Sequence, residues 1–266
     1  MKRILITGGA GFIGSSLALK LASDGFEVTV LDNLSPQIHG SSPEKSYLYK
    51  RILGKVKFIN GDVSIKSDWE YALENQDAIV HLAAETGTGQ SMYEIEKYSR
   101  VNILGTAILL DLLTNNKMSV KKVIVASSRA IYGEGKYKCQ HHGIVYPKDR
   151  SPENMELGDF KTKCPICGSS VEVDATDEES MIHPSSIYGI TKQVQEEMVM
   201  LSCKSIGLAS VALRYQNVYG PGQSLSNPYT GILSIFSKNI LNNSKINIFE
   251  EDRKSTRLNS SHGKLS

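Results

Sequence analysis

The sequence is poor in aromatics, at 7% of its 266 residues, and has a single tryptophan, Trp69. It has only four cysteines, Cys139, Cys164, Cys167 and Cys203. That is too sparse for a disulfide-stapled secreted scaffold, and a pair two residues apart reads first as metal ligation. No apolar run approaches the roughly 20 residues needed to span a bilayer. The start "MKRILITGG" lacks a signal-peptide layout, because glycines follow its short apolar run at once. Charge of one sign is missing too. A formal net charge of +2 gives no drive toward nucleic acid or an anionic membrane surface. The expectation is a soluble cytoplasmic protein with neither nucleic-acid nor membrane partners. What is present is a 40% apolar composition, enough for the core of one sizeable α/β domain, or a domain and a half.

Residues 252–266, "DRKSTRLNSSHGKLS", show no apolar periodicity. From Asp252 to His262 they match, residue for residue, a frame translation of a common short-read sequencing adapter. The natural sequence is therefore expected to stop near Glu251, with the rest read-through and the protein a fragment lacking its own C-terminus. Setting the segment aside removes Arg253, Lys254, Arg257, Lys264 and Asp252, so the net charge moves from +2 to −1.

Along the chain, "KRILIT", "EVTVLD", "VKFINGD", "AIVHLAA" and "KKVIVASS" read as short buried strands. "GFIGSSLALKLASDG" has helical spacing and ends at Gly25, a natural C-cap. "SDWEYALEN" fits a short helix with Ser67 as its N-cap. A long helix is expected from Met92 to Asn116, with Val101, Leu104, Ile108 and Leu112 on one face. After a polar stretch over 133–184, the rhythm resumes with a helix from about Ser186 to Ile206 and the strand "ASVALRY". Alternating strands and helices predict a doubly wound parallel α/β sheet. The main sheet-bearing unit is expected over 1–132 and 185–215, with 133–184 inserted into it. A further, truncated unit opens over 216–251, with a helix near Ile232–Leu241 and a strand at "KINIF". That helix should expose Ile and Leu side chains for want of partners.

"TGGAGFIG" places Gly8, Gly11 and Gly14 at the turn from the first strand into the first helix. Glycine lets the backbone approach a pyrophosphate, and the helix N-terminus, at Phe12 and Ile13, offers free N–H groups and a positive dipole end. Asp32 closes the second strand. A carboxylate there accepts from a ribose 2′-hydroxyl and repels a 2′-phosphate, which favours NAD over NADP. Asn33, Asp62 and Val63 are candidates beside it, and Leu82, Ala83 and Ala84 end the fourth strand at the same edge.

"SSIYGITK" holds Tyr188 and Lys192 four apart, on one face of a helix. A phenol with an ordinary pKa near 10 is a poor base at neutral pH. A neighbouring ammonium and a positive nicotinamide ring favour the phenolate. Such a tyrosine removes a proton from a sugar hydroxyl as hydride leaves the same carbon. Ser128, at the end of the fifth strand, is placed to hydrogen-bond the reacting oxygen.

"TGGAGFIG", "HLAA", "VNILGT", "SSRAIYG", "YGITK" and "LRYQNVYGPGQ" occur in this order over residues 1 to about 250. In that set the chain resembles the extended short-chain dehydrogenases/reductases, in their NAD-dependent sugar-nucleotide epimerase/dehydratase branch. The resemblance implies Ser128, Tyr188 and Lys192 as the catalytic trio, with Tyr188 and Lys192 also against the cofactor. It implies Asn102 near the cofactor, Thr86, Ser128 and Asn217 toward the substrate, and a homodimer for the full-length protein. Gln216 stands where the family usually has an aromatic residue. Dehydratases of the branch carry an Asp-Glu pair after the catalytic hydroxyl residue. Here Arg129 and Ala130 follow Ser128, which argues for 4-epimerisation. The insertion and "AAETGTGQSMYEI" look like the dTDP-L-rhamnose 4-epimerases; UDP-hexose 4-epimerases are the alternative. A non-catalytic NAD-binding scaffold is the rival from outside enzymology.

The insertion holds a C-x2-H pair, Cys139 and His142, and a C-x2-C pair, Cys164 and Cys167. Four such ligands suit a closed tetrahedral Zn²⁺ site of structural type. His141 competes with His142 for the fourth position. Cys203 is expected in the core.

Overall fold

The computed structural model describes residues 1–116, 118–223 and 231–246. The expected read-through tail at 252–266 and most of "KINIF" lie outside the described residues. Nine strands are found among the described residues. They are β1 (Arg3–Thr7), β2 (Glu27–Asp32), β3 (Lys57–Asn60), β4 (Ala78–His81), β5 (Lys122–Ser128), β6 (Tyr137–Cys139), β7 (Gly143–Val145), β8 (Glu172–Val173) and β9 (Ala209–Tyr215).

Six of them form one parallel sheet in the order β3-β2-β1-β4-β5-β9. The order reverses between β1 and β4, which opens a crevice at the carboxyl edge of the strands. Successive side chains of a strand face opposite ways, so β1 feeds two cores. Ile4 and Ile6 join Val28, Val30 and Ala18 on one face. Leu5 joins Trp69, Leu109, Val123, Val199 and Cys203 on the other. Burying each Leu or Ile contributes about 1.5–3 kcal/mol, which explains why these runs hold so few polar residues.

Two elements differ from their expectation. The helix Lys66–Leu73 is capped at Ile65, and Ser67 sits inside its first turn. The chain after Met92 is helical only from Ile95, and Ser99–Leu104 is a π-helix between two α segments. The wider π turn breaks the 3.6-residue phase. Val101 and Leu112 remain buried while Leu104 turns outward, 48% exposed.

The insertion folds as a small antiparallel sheet, β7-β6-β8. It is anchored where it leaves and re-enters. Lys136 pairs with Asp177 at 2.8 Å, and the His183 N–H donates to the Ile131 carbonyl at 2.9 Å. Beyond β9, the helix Ile232–Leu241 exposes Ile232, Leu233, Ile240 and Leu241. The outer face of β9 exposes Val211 and Leu213. Among the described residues no helix is long and apolar enough to cross a membrane.

Candidate active site and metal centre

At the crevice, the glycine turn is packed to its limit. A Cβ on Gly14 would lie 2.3 Å from the Gly8 carbonyl oxygen, and one on Gly8 would lie 2.8 Å from the Ala83 nitrogen. Gly11 is the N-cap of the helix Phe12–Ser23, and no side chain caps that end. The first-turn N–H groups thus remain available to an anion. Asp32 ends β2 beside the turn. Its carboxylate accepts the Ala10 N–H and the Leu34 N–H, each at 2.9 Å. Burial raises its pKa, against those two bonds.

Asn33 donates to Asp62 at 2.9 Å. Burial disfavours the Asp62 carboxylate, but bonds from Ser64 and Asn33 outweigh it and hold the pKa low. Val63 is buried and its carbonyl accepts the Trp69 indole N–H. Leu82, Ala83 and Ala84 follow β4, and the Leu82 and Ala83 N–H groups bond to Thr7. The cradle therefore fits a dinucleotide: a pyrophosphate has backbone N–H groups, and a ribose has the Asp32 carboxylate.

The reactive end is built by β5 and the helix Ile187–Ser205, whose N-cap Ser186 accepts the Gly189 N–H. Gly189 is required there, because a Cβ would lie 2.6 Å from the Ala130 carbonyl oxygen. That contact brings the first turn of the helix against the turn after Ser128. Ser128 is buried, accepts the Ala130 N–H at 3.1 Å, and lies beside the Tyr188 phenol, where it favours the phenolate. Burial raises the Tyr188 pKa and Ser128 opposes it. In this arrangement Lys192 contributes no lowering. Its ammonium donates instead to Gln195, and burial brings its pKa down to about 7.

Asn102 lies in the π segment. It donates to Thr191 at 3.0 Å and exchanges bonds with the Glu85 backbone. Its nearest partners are thus protein groups that frame the crevice. The Thr86 carbonyl accepts the Tyr98 hydroxyl at 2.6 Å, and the Tyr98 ring meets the Tyr188 ring edge-on at 6.4 Å. Tyr98 and Gln195 lie outside the sequence motifs, and Thr191 lies inside "YGITK" with no role assigned to it there. Gln195 is in helical phase with Tyr188 and Lys192 on the same helix, which is a weak signal, while Tyr98 lies on a separate helix. Asn217 is exposed just past the Ser128–Tyr215 register pair, at the same edge but outside the Ser128–Tyr188 contact.

A model of the NAD dependent epimerase/dehydratase family matches residues 4–152 and 162–257. The chain belongs to that family. It is 36% identical over 252 residues to a dTDP-L-rhamnose 4-epimerase of Burkholderia thailandensis, covering 94% of this chain and 67% of the relative. Among solved structures, it is similar to a UDP-glucose 4-epimerase with UDP-glucose from Thermotoga maritima. The TM-score is 0.70 at 29% identity, with 94% of this chain and 66% of that chain covered. A UDP-glucose 4-epimerase complex with NAD from Thermus thermophilus gives 0.66 at 26% identity, covering 92% and 64%. The chain spans about two thirds of the length of the relatives it matches.

The insertion holds a second cluster. The ligand atoms of Cys139, His142, Cys164 and Cys167 all lie within 4.8 Å of one another. His142 Nδ1 is 3.6 Å from Cys139 Sγ and 3.8 Å from Cys164 Sγ, and the Cys139 and Cys167 sulfurs are 3.8 Å apart. Zn–S bonds of about 2.3 Å and Zn–N bonds of about 2.0–2.1 Å at tetrahedral angles separate ligand atoms by roughly 3.6–3.8 Å. His141 stands outside the cluster, its ring 6.4 Å from that of His142. The Ile166 N–H donates to Cys164 Sγ at 3.4 Å.

Proposed function

We propose that the chain carries the cofactor-binding and proton-transfer machinery of a NAD-dependent nucleotide-sugar 4-epimerase, with dTDP-L-rhamnose as substrate. The Ser128–Tyr188 hydroxyl pair carries the reading, with Lys192 one turn along the same helix. Tyr188 takes the proton of the sugar 4-hydroxyl, and Ser128 holds the oxygen as it becomes a carbonyl. NAD, when bound over the Gly8–Gly14 turn and Asp32, supplies a reversible acceptor for the C4 hydride. Tyr188 returns the proton once the 4-keto sugar has presented its other face. Arg129 and Ala130 follow Ser128, so no acid–base pair stands there for elimination of water. The Burkholderia relative favours the dTDP-L-rhamnose substrate, while the two solved relatives favour a UDP-hexose. NMR of the full-length protein, with its whole substrate lobe, incubated with each nucleotide sugar discriminates; the given chain by itself is expected to be inactive. C4 inversion of dTDP-L-rhamnose alone supports the first, inversion of UDP-glucose the second. NADH accumulating with substrate, or no conversion with NAD bound, sinks both and favours a net oxidoreductase or a binding scaffold.

The second part of the reading is a structural Zn²⁺ held by Cys139, His142 Nδ1, Cys164 and Cys167. All four positions are protein ligands, so the ion has no open site for chemistry. It would pin residues 133–184, inserted into a cofactor-binding unit over 1–132 and 185–215 that leads into the opening of a substrate lobe over 216–251. Elemental analysis should find one zinc per chain in protein purified without chelator. Absence of stoichiometric metal would refute this, as would full zinc content in a Cys164→Ser, Cys167→Ser variant.

A further inference from the structure

A continuous chain of buried hydrogen bonds runs from the end of β1 to Lys192. Thr7, His81, Asn102, Thr106 and Gln195 within it are fully buried, and Lys192 is 2% exposed. Counting donors fixes the protons along it. The Ala83 N–H donates to Thr7 Oγ1 at 3.2 Å, and Thr7 Oγ1 lies 2.7 Å from His81 Nδ1. His81 Nε2 lies 3.1 Å from Thr106 Oγ1. Thr106 has one hydroxyl proton, and it goes to the Asn102 carbonyl at 2.7 Å. Toward His81, Thr106 can therefore only accept. His81 carries its proton on Nε2 and takes the Thr7 hydroxyl proton on Nδ1. Burial keeps this ring neutral, with its pKa pushed down to about 3.

Gln195 Nε2 donates to the same Thr106 oxygen at 2.8 Å. That fixes the amide, so Gln195 turns Oε1 toward Lys192, whose ammonium donates to it. The titratable groups around Lys192 are Glu196 and Tyr188 on its own helix and the neutral His81 on β4. Glu196 is engaged by Arg214 at 2.7 Å. An amide seat differs from a carboxylate seat in one respect. It orients the ammonium without adding the negative charge that would hold the lysine protonated.

We propose that Gln195 is the positioning residue of Lys192. It seats the ammonium at the catalytic edge through the Thr7–His81–Thr106 chain, on a neutral amide rather than on a carboxylate. The inference rests on Tyr188 and Lys192 being the reacting pair, but its test does not use turnover. Lys192 is followed through its ¹³Cε and ¹⁵Nζ resonances, assigned by their loss in Lys192→Met, and its titration midpoint is read in wild type and in two variants. In wild type the midpoint is expected near neutral pH, where burial places it. In Gln195→Glu it should rise by about one pH unit or more, the effect of a carboxylate within bonding reach. In Gln195→Met, which keeps the volume and removes the acceptor, it should fall below wild type. The His81 Nε2–H resonance, present in each, shows that the fold and the chain up to Thr106 are intact. A folded Gln195→Glu with an unmoved midpoint overturns the proposal. If that variant fails to fold, an unmoved midpoint in Gln195→Met does the same. A wild-type midpoint at the ordinary lysine value of about 10.4 also overturns it. Retained turnover in Tyr188→Phe would instead overturn the catalytic reading and leave the Lys192 titration standing.

Discussion

In the proposed reaction, Tyr188 is the residue on which the chemistry turns. Its phenol lies beside Ser128 and is raised in pKa by burial, so it needs a cationic neighbour at the moment of proton transfer. Tyr188→Phe keeps the ring against Tyr98 and removes the acid–base group. Turnover should fall by about 10²–10⁴-fold, with NAD binding retained in a fluorescence titration. Turnover within a few-fold of wild type would end the mechanism. Gly14 is the corresponding residue on the cofactor side. In Gly14→Ala the new methyl meets the Gly8 carbonyl oxygen at 2.3 Å. The strain should cost about 1–3 kcal/mol and weaken NAD binding by distorting the turn. Thermal unfolding and NAD titration measure the two effects, and wild-type values in both would show that the turn relaxes freely. Both residues stand inside motifs readable in the sequence. Gln195 does not, because a glutamine on a helix face has no meaning until Thr106 and Lys192 are seen on either side of it.

At the scale of elements, Arg214 joins four of them. From β9 its guanidinium makes three bonds to Glu196 on the helix Ile187–Ser205, at 2.7, 3.1 and 3.3 Å. It donates to the Tyr132 hydroxyl at 2.7 Å and to the Glu178 carbonyl of the insertion at 2.8 Å. Removing one partner of a largely desolvated pair leaves the other charge uncompensated. Arg214→Met should cost about 2–4 kcal/mol in urea unfolding, somewhat under the fully buried case. Hydrogen exchange should rise at 178–183 and in the first turn of that helix, while β1 and β2 stay protected. Uniform protection across the variant would show that the insertion is held without this residue. The helices after Met92 carry a different lesson. A run of apolar residues at helical spacing does not reveal the π turn at Ser99–Leu104. Nothing local to the sequence requires it. The Asn102 bonds to Glu85 and Thr191 are long-range contacts that accompany it.

For the whole molecule, two fully buried bases tie stability to pH. His81 has a folded pKa near 3 and Lys192 near 7, each depressed below its ordinary value by burial. A depressed base contributes stability that is present above its unfolded pKa and lost as pH falls toward its folded pKa. For His81 that window runs from its ordinary 6.5 down to about 3. Within it the loss approaches about 1.4 kcal/mol per pH unit. Thermal unfolding followed from pH 7 to pH 4 should therefore fall steeply in wild type and less steeply in His81→Gln. Equal slopes would mean that His81 is protonated or solvated in the folded protein. Lys192 adds the same sign between about 10.5 and 7, so the fold should be firmest on the alkaline side of neutrality.

The strands, the glycine turn, Asp32, the Tyr188–Lys192 helix from its Ser186 cap and the cysteine pairs follow from the sequence by itself. Each is a local pattern: a period of two or 3.6 residues, a turn that only glycine allows, or a metal-ligand spacing. The tertiary structure alone decided what long-range packing controls. Sheet order brought Ser128 and Tyr215 into register and set Thr7 beside His81. The fold of the insertion chose His142 over His141 by carrying its Nδ1 to the sulfurs of a hairpin far along the chain. The same packing took the Lys192 ammonium to Gln195, because a buried charge goes to whatever acceptor the surrounding elements leave within reach.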